Sequence, residues 1–411
     1  MFVWKIEGVF LKEPGLTNFF ENYLKRKPLF IKKEILQSNF MPSVINHRDE
    51  QIKQIADILA PSLRLEKPSN LFVYGKTGTG KTASIKYVLN QMKKIIKQKK
   101  INIKTIYLNC KLKKIADTQY RLMAQLVREF EKPIPPTGLP TDEVYKIFYD
   151  LIDKEKKLII LVLDEIDQLI KKTGDEILYN LTRINSELKN SQIEIIGISN
   201  DVLFRDYLDP RVKSSLSEEE IIFPPYHALQ IKDILLQRAN KAFRKNILAE
   251  GLIEKCAAYA ARDHGDARRA IELLRVAGEI AERENSEKIE IKHLDKAEEK
   301  IDNDRILDII KIQPKQHQVV LYSILALKNK APIFTGEVYV LYKDLCFKTG
   351  LRPLTQRRLS DIIAEFDMQG IINTKIISKG RYGRTREIGI TLSHVTQVEI
   401  EKILAEGLTL A

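Results

Sequence analysis

The stretch Gly75-Lys76-Thr77-Gly78-Thr79-Gly80-Lys81-Thr82 fits the pattern G-x-x-x-x-G-K-[ST] of a phosphate-binding loop. The run Asn70–Tyr74 before it predicts a short buried strand, and the run Ala83–Lys97 after it predicts a helix. The glycines allow consecutive backbone N–H groups to surround phosphate oxygens, and the helix N-terminus adds partial positive charge. Lys81 would bind the β- and γ-phosphates and the Thr82 hydroxyl would hold Mg²⁺. The sequence therefore predicts a site for ATP or ADP.

A second acidic signature follows the apolar run Leu161–Leu163. Asp164 and Glu165 come directly after this run, where a parallel strand would end beside the phosphate-binding loop. We expect Asp164 to bind Mg²⁺, through water, and Glu165 to polarise an attacking water molecule. Asp167 is interpreted as a helix cap or a surface residue, because acidic side chains favour the first turn of a helix.

Strands and helices alternate over residues 46–225, which predicts an α/β fold with a parallel sheet and helices on both faces. Helical patterns lie between the predicted strands and around them. The strands are predicted at Leu71–Tyr74, Thr105–Asn109, Leu158–Asp164, Glu194–Ser199 and Glu220–Phe223.

Three further regions surround this α/β core. Residues 1–45 are interpreted as an N-terminal arm, and residues 226–312 as a small all-helical domain. Residues 313–411 combine helices with a β-rich stretch, Ile371–Ile390. At 411 residues the chain is long enough for two or three domains, each with its own hydrophobic core.

The net charge indicates an anionic partner. The chain carries a formal charge of +13, and residues 311–411 hold 15 Lys and Arg against 9 Asp and Glu. Nucleic acid is the most common partner of such a surface, although a soluble lysine-rich surface has the same composition. The three cysteines lie far apart without zinc-like spacing, and neither a signal peptide nor a membrane-spanning run is apparent. We therefore expect a cytoplasmic, nucleoid-associated protein without a membrane partner.

The order of these motifs resembles that of the AAA+ ATPases. Asn200, after the predicted strand Ile195–Ser199, is similar to the sensor-1 residue that positions water or the γ-phosphate. Within Leu208–Ser215, Arg211 is the candidate arginine finger, which would act on the nucleotide of a neighbouring subunit. Gly265–Ala270 resembles the sensor-2 element, where Arg268 would contact the γ-phosphate.

Residues 341–390 have the pattern of a winged helix. Leu341–Lys348, a turn and the amphipathic run Gln356–Phe366 predict a helix-turn-helix with Thr355 as N-cap. The N-terminal residues of a recognition helix face DNA, and Ile371–Ile390 predicts two strands joined by a basic tip. The predicted DNA contacts are Thr355, Gln356, Arg357, Arg358, Lys379, Arg381, Tyr382 and Arg384.

Over about residues 20–400 the chain resembles the archaeal origin-recognition initiators, relatives of the eukaryotic origin-recognition complex and its helicase-loading partner. The resemblance implies a slow ATPase that binds double-stranded origin DNA, switches with ATP and ADP, and helps recruit the replicative helicase, with paralogous initiators as further partners. It also implies DNA contacts within the insertion Lys111–Leu139, which carries Lys113, Lys114 and Arg121. The adenine pocket would use Val44–Arg48 and residues near Tyr226.

Two alternatives from other classes remain open. The same combination of an AAA+ core and a winged helix occurs in DNA motors of the branch-migration kind, which predicts hexamers and fast DNA-stimulated hydrolysis. An ATP-switched regulator that binds promoters or proteins is the other alternative. Gel filtration with a steady-state ATPase assay would separate the motor, and genomic footprinting would separate the regulator.

Overall fold

A computed structural model describes most of the chain and divides it into two compact units. The described residues are 5–6, 9–10, 13–111, 117–135, 138–216, 218–330, 332–378, 384–390, 392 and 394–409. The first unit is Met1–Leu294 and the second is Asp295–Ala411. The division falls before the 312/313 boundary expected from sequence, because Leu307 and Ile310 are buried in the hydrophobic core of the second unit.

The first unit contains the α/β core and the helical region after it. Its strands are β1 (Lys5–Ile6), β2 (Val9–Phe10), β3 (Asn70–Tyr74), β4 (Ile103–Asn109), β5 (Leu158–Asp164), β6 (Gln192–Ser199) and β7 (Glu218–Ile222). Its helices are α1 (Glu13–Lys25), α2 (Asp49–Leu59), α3 (Lys81–Lys99), α4 (Gln119–Arg128), α5 (Thr141–Ile152), α6 (Ile166–Thr173), α7 (Glu176–Arg183), α8 (Pro210–Leu216), α9 (Ala228–Ala242), α10 (Leu252–Arg262), α11 (Ala267–Arg283) and the start of α12 (Ile291–Lys311).

A five-stranded parallel sheet in the order β4-β5-β6-β3-β7 forms the centre of this unit. Alternate residues of β5 point to opposite faces, as the two-residue repeat of a strand requires. Ile160 and Val162 pack with α2 and α3, whereas Ile159 and Leu161 pack with α4, α5 and α7. The predicted parallel α/β fold is therefore confirmed. The last strand, β7, begins two residues before its predicted start at Glu220, because Glu218 already pairs with Asn70 of β3.

Glu194 of β6 is an ionisable side chain in the middle of the sheet. It is fully buried, and its Oε2 accepts a hydrogen bond from Ser62 Oγ at 3.1 Å. Its Oε1 has no hydrogen-bond partner among the described residues. Burial raises the pKa of Glu194 to about 8, so the folded protein keeps this carboxyl protonated near neutral pH.

We expect Glu194→Gln to stabilise the fold increasingly as the pH rises. The pKa of Glu194 is higher in the folded than in the unfolded chain, so the unfolding free energy of the wild type falls as the pH rises toward about 8. The neutral amide removes this dependence, and its advantage should grow by up to about 3 kcal/mol between pH 5 and pH 8. Urea unfolding at the two pH values measures it. The control is Glu219→Gln, because Glu219 is an exposed residue of β7. Its difference from the wild type in unfolding free energy should not grow between pH 5 and pH 8.

The helices α9, α10 and α11 form a lid, and part of the predicted N-terminal arm packs on it. Leu29, Phe30, Ile35 and Leu36 are buried, and the rings of Phe30 and Phe243 lie 4.7 Å apart. The backbone N–H groups of residues 31 and 32 donate to the carbonyl of Ala242 at the end of α9. Residues 29–36 of the predicted arm are thus part of the lid's hydrophobic packing.

The second unit is a small α+β fold. It consists of α13 (Lys315–Ala326), β8 (Ile333–Phe334), α14 (Thr335–Lys348), α15 (Gln356–Met368), β9 (Ile372–Ser378), β10 (Arg384–Ile390) and α16 (His394–Leu408), together with the end of α12. The antiparallel sheet has the order β8-β10-β9. Leu359, Ile362, Ile363 and Phe366 of α15 are fully buried, which confirms the predicted apolar face of this helix and the winged-helix fold.

Candidate functional site

A cleft of about 1080 Å³ lies in the first unit, between the carboxyl ends of the strands and the lid. The loop before α3, the ends of β5 and β6, the start of α11 and the segment before α2 all contribute to its walls. The parallel register explains this convergence, because Asn109, Asp164 and Ile198 lie at the same level across the sheet. Of the predicted nucleotide contacts, the cleft is lined by Gly78, Thr79, Gly80, Lys81, Thr82, Asp164, Glu165, Asn200, Tyr226 and Arg268.

The loop between β3 and α3 has the backbone that its glycines allow. Gly78 has φ of +71° and Gly80 has φ of +93°, which are left-handed conformations that a side chain disfavours. At Gly78 there is also no space, since a Cβ atom would lie 1.7 Å from Asp266 Oδ1. Helix α3 begins at Lys81, two residues before its predicted start, so Lys81 and Thr82 belong to its first turn. The loop and this helix start are the anion-binding arrangement that the motif predicts.

Lys81 is a buried cation that forms no ion pair within 4 Å with any described carboxylate. Its side chain is 5% exposed, and Nζ donates to the carbonyl oxygens of Gly75 at 2.6 Å and Lys76 at 2.7 Å. Burial, together with the nearby Arg268 guanidinium, lowers the pKa of Lys81 to about 8. A buried ammonium bound only by neutral carbonyls favours an arriving anion. The site therefore fits a phosphate group.

Thr82 and Asp164 place two oxygen ligands side by side. Thr82 Oγ1 donates to Asp164 Oδ2 at 3.0 Å, and Tyr107 donates a short hydrogen bond to the same oxygen. Asp164 is 5% exposed, so its carboxylate is held in one place at the end of β5. Mg²⁺ usually takes one or two protein oxygens and completes its shell with water and phosphate. The pair fits that role, which remains a proposal.

Glu165 lies at the mouth of the cleft in an unusual backbone conformation. Its φ is +56° and its ψ is +47°, which is uncommon for a residue with a side chain and marks functional sites in many proteins. Its carboxylate is 21% exposed and lies 3.8 Å from Lys111 Nζ. Lys111 begins the insertion predicted to contact DNA. Lys113 and Lys114 of that insertion lie outside the described residues, and Arg121 pairs with Asp117 at 3.2 Å.

Asp167 is not a surface residue, contrary to one of the two sequence interpretations. It lies in the first turn of α6 but is 3% exposed. Its Oδ1 accepts from the backbone N–H of Asn200 at 3.3 Å and from Ser199 Oγ at 3.4 Å. A carboxylate from α6 thus holds the end of β6 and with it Asn200. Sequence could not predict this contact, because the partners are more than 30 positions apart.

The lid touches the phosphate-binding loop through Asp266. Thr77 Oγ1 donates to Asp266 Oδ2 at 3.3 Å, and the backbone N–H of Ala267 donates to the carbonyl of Gly78 at 3.3 Å. Asp266 is also the N-cap of α11, because Oδ1 accepts from the N–H groups of Arg268 and Arg269. One side chain therefore fixes both the loop and the helix that carries Arg268. Sequence reasoning selected Arg268 and overlooked Asp266.

Arg48 supports the cleft from behind Tyr226. Its side chain is 2% exposed, and Nε donates to the carbonyl of Thr79 at 2.9 Å. Its guanidinium carbon lies 3.8 Å from the centre of the Tyr226 ring. Val44, Ile45 and Asn46 line the cleft together with Tyr226, as predicted for an adenine pocket. Burial lowers the pKa of Arg48, and the stacked ring and the carbonyls partly offset the cost of its burial.

Arg211 is not brought into this cleft. Its side chain is 82% exposed, and Nε lies 3.1 Å from Asp209 Oδ1. Nη2 donates to the other oxygen of the same carboxylate at 3.3 Å. An exposed arginine held by a neighbouring acid is compatible with action on another subunit, and that role stays a prediction.

In the second unit, the predicted DNA-contacting residues of α15 lie together at its exposed N-terminus. Thr355 is the N-cap, with Oγ1 accepting from the N–H of Arg358 at 3.4 Å. The Arg358 guanidinium lies 3.5 Å from Glu365 and 3.9 Å from Asp361. Gln356 and Arg357 are exposed, and Arg357 makes no ion pair with another described residue. Lys379, Arg381 and Tyr382 of the predicted wing lie outside the described residues, and Arg384 begins β10.

Comparison with known proteins places the chain in a family. Three family models match it in order: an AAA domain over residues 64–200, a Cdc6 AAA+ ATPase-type lid domain over 232–299, and a CDC6 C-terminal winged helix domain over 308–399. The ORC1-type DNA replication protein of Thermococcus onnurineus is 53% identical over 394 residues, which cover 94% of each protein. The chain belongs to the ORC1-type DNA replication protein family. A further relative, ORC1-type DNA replication protein 1 of Methanosarcina mazei, is 49% identical, and the match covers 93% of this chain and 92% of that protein.

Solved structures agree with this membership. The Aeropyrum pernix ORC1 protein, in a structure with DNA, has a TM-score of 0.77 and 41% identity, covering 92% of this chain and 97% of that one. Cdc6p from Pyrobaculum aerophilum has a TM-score of 0.59 and 21% identity, and the match covers 92% of this chain and 100% of that one. At this identity the similarity shows the fold alone. The AAA+ core, lid and winged helix expected from the motifs are therefore confirmed as the fold of this ORC1-type protein. Among its described residues, every helix is too short or too polar to cross a membrane.

Proposed function

We propose that this ORC1-type protein initiates DNA replication by binding double-stranded origin DNA under the control of bound ATP or ADP. One observation carries the proposal: a phosphate-binding loop and a lid arginine border one cleft in a chain whose second unit presents an exposed recognition helix. The DNA-bound Aeropyrum relative, similar over 92% of this chain, supports the DNA-binding half of the proposal.

The proposed roles of the cleft residues follow from their positions. Lys81, with the backbone of residues 75–80, binds phosphate oxygens, and Thr82 and Asp164 hold Mg²⁺, which neutralises charge on the phosphates. Tyr226 and residues 44–46 border the base. Arg268 approaches the terminal phosphate from the lid. Glu165 and Asn200 orient a water molecule, and Arg211 completes the site of a neighbouring copy.

We propose that hydrolysis is slow and that nucleotide acts as a switch. Glu165 is the general base, yet its carboxylate lies 3.8 Å from the Lys111 ammonium, so this ion pair competes with the water molecule for the carboxylate oxygens. Asp266 joins the lid to the phosphate-binding loop, so whatever binds that loop also affects the lid. Phosphate-dependent closure of the lid would change how firmly the chain holds DNA.

The proposed partners are origin DNA, the replicative helicase and paralogous initiators. The proposed DNA contacts from α15 and its N-cap are Thr355, Gln356, Arg357 and Arg358. The proposed DNA contacts from the wing are Lys379, Arg381, Tyr382 and Arg384. As functional regions we propose an arm at residues 1–45, a core at 46–225, a lid at 226–312 and a DNA-binding region at 313–411. Within these regions, residues 29–36 of the arm pack on the lid, and residues 295–312 belong structurally to the second unit. The protein would act in the cytoplasm on the nucleoid.

Footprinting of the purified protein on genomic fragments, with ATP and with ADP, tests this function. We expect protection of discrete origin sites and a nucleotide-dependent change in its extent. Protection confined to promoters would favour the regulator instead. A nucleotide-dependent hexamer with fast DNA-stimulated hydrolysis would favour the motor.

For α15, we expect Arg357→Ala to weaken binding to the preferred site by about tenfold and to relax base preference at one position. Arg358→Ala is the matched control: Arg358 also neutralises Asp361 and Glu365 on its own helix, so less of its charge is available to DNA. Competition assays on single-base variants of the protected site measure both effects. A larger loss of preference with Arg358→Ala would contradict the assignment of base reading to Arg357.

A further inference from the structure

A second pocket, of about 680 Å³, lies on the α/β core away from the nucleotide cleft. The start of α4, the outer face of α5 and helix α7 form its walls. Its volume is within the range of about 300–1,000 Å³ in which proteins hold ligands or side chains of a partner. None of the residues proposed for nucleotide binding or for the DNA contacts of the winged helix lines it, although Thr118, Gln119 and Tyr120 belong to the insertion Lys111–Leu139. The nucleotide cleft and the winged helix therefore do not account for this pocket.

The floor of this pocket is aromatic. Tyr120, Tyr145 and Tyr149 line it, and the rings of Tyr145 and Tyr149 meet edge to face with centroids 6.2 Å apart. Tyr145 is 9% exposed, and its hydroxyl oxygen has no hydrogen-bond partner among the described residues, although the side chain of Asn180 lies close enough to influence its pKa. Burial raises the pKa of Tyr149 to about 12, with Glu187 contributing, so both hydroxyls are neutral. The floor offers ring faces and a buried oxygen able to accept a hydrogen bond.

The rim of the pocket is acidic. Asp142, Asp150, Glu176 and Glu187 line it, and Lys146 is the one basic residue among the lining residues. Glu176 accepts a hydrogen bond from Gln119 Nε2 at 3.2 Å. The other three carboxylates form no ion pair with any described residue. On a chain with a net charge of +13 such a patch repels DNA and attracts cations.

We propose that this pocket is a docking site for an arginine-bearing segment of a partner protein. A guanidinium is permanently charged, stacks on aromatic rings and donates several hydrogen bonds in a plane, which matches tyrosine faces surrounded by carboxylates. Tyrosine and arginine are also, with tryptophan, the residues enriched among those that carry most of the binding energy at protein interfaces. The pocket is long enough along α5, from Asp142 to Asp150, to hold residues on both sides of the arginine.

Binding of fluorescein-labelled Gly-Arg-Gly-Arg-Gly to the full chain without DNA tests this proposal, measured by fluorescence anisotropy. We expect saturable binding of this peptide and none of Gly-Gln-Gly-Gln-Gly. The double variant Asp142→Asn/Asp150→Asn should bind the arginine peptide at least about tenfold more weakly. The matched control Glu50→Gln/Asp57→Asn removes two exposed carboxylates from α2 and should bind like the wild type.

Three results would overturn the proposal. The first is equal affinity for the arginine and glutamine peptides, and the second is an equal loss of affinity in the two double variants. The third comes from sedimentation velocity: a wild-type dimer that Asp142→Asn/Asp150→Asn abolishes would identify the occupant as a second copy of this chain. Unchanged affinity for labelled ADP would show that the pocket variant is folded, because the pocket shares no lining residue with the nucleotide cleft.

Discussion

Lys81→Ala should abolish nucleotide binding, weakening the affinity for fluorescent ADP by at least about 100-fold. The ammonium is a buried positive charge of the cleft, and its present partners, the carbonyl oxygens of Gly75 and Lys76, are neutral. A polyphosphate offers it a far stronger interaction than these carbonyls do. Fluorescence titration of the purified variant measures the loss.

The same substitution should not unfold the protein. The pKa of Lys81 is lowered to about 8, so the fold disfavours the charged form and holds it at a cost that nucleotide would offset. Without nucleotide, Lys81→Ala should therefore be as stable in urea as the wild type, or slightly more stable. Such exchange of stability for function is common at binding sites.

Lys76→Ala provides the matched control for this prediction. Lys76 belongs to the same loop and carries the same charge, but its side chain is exposed. Its removal should change ADP affinity by less than about threefold, as expected of a solvated charge. Wild-type affinity in Lys81→Ala, or an equal loss in both variants, would contradict the assignment of Lys81 to the phosphate site.

Gly265→Ala should detach the lid from the core and lower the free energy of unfolding by about 3 kcal/mol or more. Gly265 has φ of +69°, and a Cβ atom there would lie 2.3 Å from the carbonyl oxygen of Tyr226 and 2.9 Å from its nitrogen. Both neighbours are backbone atoms, which cannot rotate away as a side chain does. The start of α11 must then move, and with it Asp266 and Arg268. We expect ADP affinity to fall by about tenfold as well.

Gly251→Ala separates the clash from the backbone strain. Gly251 lies in the same lid with φ of +76°, but a Cβ atom added there would meet no neighbouring atom within 4 Å. Both variants carry the left-handed strain, which costs about 1–2 kcal/mol. The control should lose that amount and keep its ADP affinity. Urea unfolding and ADP titration of the pair measure the difference, and equal losses would show that the approach of Gly265 to Tyr226 has no effect on the lid.

Much of the nucleotide cleft could be predicted from sequence because its parts follow local rules. A phosphate-binding loop must combine glycines, a lysine and a hydroxyl at fixed spacing, and Asp164 follows a strand whose end meets that loop in any parallel sheet. The amphipathic pattern likewise predicted α15 and its exposed N-terminus, since the helical repeat decides which side is buried.

The supporting contacts could not be predicted in this way. Asp266 lies 189 positions from Thr77, and Arg48 lies 176 positions from Pro224, to whose carbonyl its guanidinium donates. No local pattern encodes such pairs, because each partner is set by how distant elements pack. The surface interpretation of Asp167, one of its two interpretations, was wrong for the same reason. Glu194 was not recognised as an ionisable group inside the sheet.

The sequence by itself determined the chemistry of this protein: a loop for phosphate, acids at a strand end, a lid arginine and a basic winged helix. Tertiary structure alone decided which side chains hold these groups in place. Asp266 joins lid to loop, Arg48 stacks behind Tyr226, and a tyrosine-lined acidic pocket forms where α4, α5 and α7 meet. The physical reason is that a motif fixes the backbone and residue types over a few positions, whereas burial and counter-charges arise only when remote segments pack together.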